Sequence, residues 1–148
     1  RATAARYDDA IARLYRATEL LAQLRLKYEY GIDTANVDLS RVPEAAKRDF
    51  EALQNERGKI QIGLVRAYKL LEHLDDPVGL LFSDSNSQGL QNAIKARNES
   101  ILAHGLTPMT RESYAKSQQE ILAFITAAMR IIDAKISIRQ LPNDLWRF

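Results

Sequence analysis

Between Gly89 and Gly105 the chain places Leu90, Ile94, Arg97, Ile101 and His104 at successive spacings of four, three, four and three. That rhythm is one stripe of an α-helix turned toward a partner. The neighbouring stripe, Gly89, Ala93, Ala96, Ser100 and Ala103, is small throughout. Small residues let a second helix approach toward the short end of the ~8–10 Å interaxial range. The segment therefore has to be a closely packed helix. It also has to carry a guanidinium and an imidazole on the face where leucine would be the simplest choice. Seven residues at ~100° each return to within ~20° of the starting direction and rise ~10 Å. Arg97 and His104 thus share a face two turns apart. They are too distant for a direct ion pair and spaced to hold one phosphodiester, or a second copy of the same helix. Asn98 lies ~100° round from Arg97 and offers an amide donor and acceptor at the edge of that face. Gly105 reads as the residue that ends the helix. His104 then falls in the last turn, where the helix dipole favours the protonated ring.

The same periodicity organises the rest of the chain into helices. Residues 4 to 29 read as one long helix, with Tyr7, Ile11, Leu14, Thr18, Leu21 and Tyr28 inward and Ala10, Ala17 and Leu24 widening the buried face. Arg13, Arg16, Glu19 and Gln23 form its polar side, and Arg16 and Glu19 are spaced to pair. A role for Arg13 or Arg16 in gripping a polyanion competes with a plain solvated flank, and the solvated flank is favoured. A polar loop follows from Gly31 to Val42. Pro43 then opens a second helix that runs to Asn55, with Val42, Ala46, Phe50 and Leu53 inward. A third helix spans Lys59 to Leu74 on a seam of Ile60, Leu64, Ala67, Leu71 and Leu74, and Asp75-Asp76-Pro77 ends it. This helix repeats the Arg-to-His spacing at Arg66 and His73, one position off its apolar seam, which reads as a solvated face. Val78 to Phe82 makes a short helical turn. Thr110 caps a last long helix that runs to Ala134, with Tyr114, Ile121, Ile125, Ala128 and Ile132 on its stripe. Leu122, Phe124 and Met129 beside that stripe read as core. Leu141 to Phe148, with Pro142 and Trp146, is a tail that should dock on the body.

Composition bounds the chemistry. The 148 residues suffice for one domain with a single core, and no run reaches the ~18 apolar residues of a membrane span. There are no cysteines, which excludes disulfides and thiolate metal sites, and two histidines argue against a multi-histidine metal site. A formal charge of +2 permits nucleic-acid contact without arguing for it. The first residue is Arg rather than Met, so the chain reads as a fragment of a longer protein.

The run R-N-E-S-I-L-A-H-G from Arg97 to Gly105 resembles the signature of HEPN ribonuclease domains: an Arg, a polar neighbour, a short helical spacer and a His. The opening helix, R-Y-D-D-A-I-A-R-L-Y-R-A-T-E-L-L-A-Q, is similar to that of the HEPN half of CRISPR-associated effectors that also carry a CARF sensor domain. Six residues between Arg and His is at the long end of the family's range. The resemblance implies an all-α HEPN-like bundle of four to five main helices with a short C-terminal tail, occupying residues 1–148 as a single domain. It implies a metal-independent, cofactor-free endoribonuclease of the prokaryotic cytoplasm, in which motif helices of a homodimer face each other across a cleft. It implies catalytic roles for Arg97, Asn98 and His104, and single-stranded RNA as substrate. It also implies a CARF domain N-terminal to this fragment that binds a cyclic oligoadenylate and switches the nuclease on. A catalytically inactive helical dimerisation or scaffold module is the competing expectation, with Asn98 fixing register at the interface.

Overall fold

The computed structural model describes residues 2–84, 88–98 and 110–133, with side chains for 7–84, 88–95 and 110–133. The described residues form six α-helices and one 3₁₀ turn, with no strand: α1 (Ala2–Tyr30), a 3₁₀ turn (Leu39–Arg41), α2 (Glu44–Glu51), α3 (Leu64–His73), α4 (Pro77–Ser83), α5 (Gln88–Asn98) and α6 (Arg111–Asp133). Of these, α1, α3, α5 and α6 are the main helices and α2 and α4 are short. The architecture is the all-α bundle that the periodicity predicts.

α1 and α6 run side by side in the same direction. Near their N-terminal ends Tyr7 stacks on Tyr114 with ring centroids 5.1 Å apart. At mid-height the Tyr68 hydroxyl donates to the Thr18 carbonyl at 2.7 Å, and the Tyr68 ring meets Phe124 edge-on at 5.4 Å. Tyr68 is fully buried and also stacks on Phe82 at 4.2 Å. Its two aromatic contacts, with the Phe82–Phe124 edge contact at 5.7 Å, tie α3, α4 and α6 into one core, each pair adding about 0.5–1.5 kcal/mol beyond the area it buries. Burial pushes the Tyr68 hydroxyl far above the ordinary phenol range, so it acts only as a neutral donor.

The corner between α3 and α4 is built from Asp75-Asp76-Pro77. Asp75 takes a left-handed conformation at φ 54°, its N–H bonds the Glu72 carbonyl, and the Asp76 N–H bonds the Leu71 carbonyl. These two bonds satisfy carbonyls the helix would otherwise leave open. Asp76 Oδ1 then accepts from the Val78 N–H and caps α4, with Pro77 in the first helical turn. One tripeptide thus stops one helix and starts the next.

Several inward assignments shift. α2 ends at Glu51, four residues before Asn55, because the chain turns around the Asn55 side chain, which accepts from the N–H groups of Arg57 and Lys59. Gly58 in that turn sits at φ 73°. Lys59 to Gly63 is extended and not helical. Ile60 and Ile62 are buried while Gln61 is exposed, an alternation of period two. The segment pairs with the loop opposite through Val37 N–H to Ile60 carbonyl and Ile62 N–H to Thr34 carbonyl. On α1, Ala17, Leu24 and Tyr28 are exposed, and Arg25 is buried in the place the pattern gave to its neighbours. On α6, Leu122 and Met129 are exposed.

Candidate functional site

α5 is held in the crease between α6 and α1. Leu90, Ala93 and Ile94 are buried, as the stripe predicts. Gly89 faces α6, where a Cβ would lie 2.3 Å from the end of the Glu120 side chain. Asn92 and Ala93 border a small cleft of about 150 Å³ with Ser113, Lys116 and Ser117. Gly89 lies opposite Glu120, and Ala93 lies nearer the start of α6, so α5 and α6 run antiparallel. Positions 97 and 98 are the last described residues of α5, and 97 continues the Leu90–Ile94 stripe by the helical repeat. The side chains of Arg97 and Asn98, and all of His104, lie outside the described residues.

Arg13 and Arg16 sit on the opposite, solvent-facing side of α1. Arg13 pairs with Asp9 at 2.9 Å, and Arg16 pairs with Glu19, as its spacing predicts. Arg16, Glu19 and Gln23 line an open polar groove of about 480 Å³ with Thr34 and Gln61. Neither arginine joins the α5 stripe. Arg66 is exposed as expected, but His73 departs from the solvated-face reading. It is half-buried, with Nε2 shielded from solvent and without a hydrogen-bond partner. Among the described residues no group of three or more His, Asp and Glu side chains comes together as a metal ligand set would, and no helix is long and apolar enough to cross a membrane.

A family model described as Csm6 HEPN domain matches residues 1–130. The chain belongs to that family. It is therefore a HEPN domain of a CRISPR-associated effector, from a family of HEPN ribonucleases. No curated protein and no solved structure matches it. The matched span takes in α1, α5 and the whole run from Arg97 to His104.

Among the described residues the strongest electrostatic feature of this HEPN domain lies away from the α5 stripe. Asp76 is fully buried and accepts from Arg25 Nε at 2.8 and 3.0 Å and from the Tyr30 hydroxyl at 2.7 Å. A second Arg25 nitrogen lies 2.8 Å from the same carboxylate, within ion-pair range but off the line of a hydrogen bond. Burial works against the Asp76 carboxylate. Hydrogen bonds from Arg25, Tyr30 and the Val78 N–H outweigh it and hold its pKa below the usual range. Burial, then the bond to Asp76, pushes the Tyr30 hydroxyl up to about 12. Arg25 could have been found by the criterion that singles out Arg97, since Ile11, Thr18 and Arg25 recur every seven residues on one stripe. Asp8, also buried on α1, gave no comparable signal.

Proposed function

We propose that this HEPN domain is a metal-independent endoribonuclease that cuts single-stranded RNA as a homodimer. The observation that carries the proposal is the family match across residues 1–130, a span that includes Arg97, Asn98 and His104 and the buried Leu90, Ala93 and Ile94 of the same stretch. In this reading the ribose 2′-hydroxyl attacks the adjacent phosphorus and the 5′-oxygen leaves. The products are a 2′,3′-cyclic phosphate and a 5′-hydroxyl. His104 moves the proton, a role worth ~10²–10⁴-fold, because an imidazole titrates near working pH. The Arg97 fork grips the phosphate oxygens and tightens as negative charge builds on the phosphorane. Asn98 holds the scissile phosphate or orients Arg97. Arg13 and Arg16 lend positive charge to a backbone passing over α1. RNA is chosen over DNA because DNA lacks the nucleophile. In the full-length protein a CARF domain binds cyclic oligoadenylate and sets the active dimer, in the cytoplasm of a prokaryotic cell under viral attack.

The test is incubation with end-labelled RNA in EDTA. Cleavage should leave cyclic-phosphate ends, should fail on DNA, and should drop by about 10²–10⁴ in His104→Ala, with a comparable loss in Arg97→Ala. His73→Ala should cut normally. If the 148-residue chain is silent, full-length protein with its cyclic oligoadenylate decides, and silence there supports the scaffold module instead.

A further inference from the structure

The cleft of about 150 Å³ on the seam between α5 and the first turns of α6 has a chemistry of its own. Gly89, Asn92 and Ala93 form one wall, and Ser113, Lys116 and Ser117 form the other. Its size limits what it can take. Sites that enclose a whole small molecule run to ~300–1,000 Å³, so this one accommodates a single chemical group. Its walls narrow the choice further. An ammonium, an amide and two hydroxyls all supply hydrogen-bond donors, and among the described residues no carboxylate lines the cleft. Ser117 is only 4% exposed, so packing fixes that wall in advance. Lys116 is exposed, and among the described residues its ammonium has no ion-pair partner, although Glu112 and Glu120 stand one turn away on either side of it. Arg13 and Arg16, by contrast, are each already answered by a carboxylate. Donors gathered around an uncommitted cation suit an anion.

The position of the cleft says which anion. α5 and α6 run antiparallel, so a step along α5 past Ala93 moves along the same seam toward the start of α6. Position 97 is one such step, a single turn and ~6 Å beyond Ala93. Resting on the nuclease reading above, we propose that the cleft binds a backbone phosphate of the RNA beside the one that is cut. Lys116 is its cation, and Asn92, Ser113 and Ser117 complete the contact. A phosphate carries no base identity, so this contact sets the register of the strand on the α5–α6 seam without reading its sequence.

The test is binding of a single-stranded 2′-fluoro RNA, which keeps every phosphate and lacks the nucleophile, measured by fluorescence anisotropy across a salt series. Lys116→Gln should weaken binding about three- to fivefold at moderate salt. The slope of log Kd against log salt should fall by about 0.7, the signature of one lost phosphate contact on a single strand. Lys116→Arg should restore both. On cleavable RNA, KM should rise by the same factor while kcat is kept. Lys69→Gln on α3 removes the same charge from another exposed position and should change neither affinity nor slope. Far-UV circular dichroism should be unchanged in all three variants. A Lys116→Gln chain that matches wild type in affinity and slope overturns the cleft site and leaves the nuclease reading standing. Equal losses in Lys116→Gln and Lys69→Gln also overturn it, because the effect is then net charge alone. A wild type that binds through Lys116 but never cuts supports the site and removes the nuclease reading. A wild type that does not bind RNA removes both.

Discussion

Arg25 and Arg97 both occupy sequence positions on inward-turned helical stripes, and Arg25 shows what such a position does and does not mean. Arg25 answers to a carboxylate of its own chain. Its partner stands 51 residues away, so nothing local in the sequence announced the pair, although the seven-residue repeat marked the position. Removing one member of a buried ion pair strands the other charge, which costs about 3–5 kcal/mol. Asp76→Asn keeps a capping side chain for α4 but leaves Arg25 only the half-exposed Glu29 carboxylate at 3.6 Å, so its urea midpoint should fall at neutral pH. Arg25→Met added to Asp76→Asn should recover much of the loss, because the stranded charge is gone. The pH dependence follows from the depressed Asp76 pKa. Above the unfolded value of about 3.9 the contribution is fully present, and it disappears as pH falls through the lower folded value. Wild type should therefore lose stability in acid below about pH 4, and Asp76→Asn should show a flatter acid limb.

At the scale of elements, what was legible was whatever a single period could carry. The apolar stripes of α1, α3, α5 and α6, the Thr110 cap, whose hydroxyl accepts from the Ser113 N–H at 3.1 Å, and the stop at Asp75-Asp76-Pro77 all follow from local chemistry. An isoleucine four residues before Leu64 satisfies a helical seam, so Ile60 reads as helical from the sequence alone. The exposed Gln61 between two buried isoleucines satisfies an extended one, and pairing with Thr34 and Val37 decides between them. Tertiary packing also separates glycines that look alike in sequence. A Cβ on Gly79 would lie 2.3 Å from the Glu72 backbone nitrogen and 2.4 Å from the Leu71 carbonyl carbon, so α4 cannot sit on α3 without moving backbone. A Cβ on Gly89 meets only the end of the Glu120 side chain, which can swing aside. Gly79→Ala should therefore cost at least the ~1–3 kcal/mol typical of overpacking. Gly89→Ala should be far milder, since the helix gains ~1 kcal/mol of propensity there. Thermal melts of the two variants side by side check the contrast.

For the whole molecule the open matter is whether one copy suffices. Arg25 shows that a guanidinium on an inward stripe can be spent within its own chain. The proposed chemistry requires Arg97 to be different, meeting a substrate phosphate in a cleft that a second copy of α5 completes. That distinction has a kinetic signature. If the site is shared, cleavage per protomer should climb with protein concentration until the dimer saturates, and dilution should silence it. Excess Arg97→Ala chain, mixed with a fixed amount of wild type, should then depress the rate by drawing wild-type protomers into defective pairs. If each protomer cuts alone, the rate per protomer should be constant and the inactive chain should be a bystander. The mixing experiment also guards against misreading a loss of activity as a loss of fold. An Arg97→Ala chain that interferes must be folded well enough to pair, and one that has merely collapsed cannot poison its neighbour.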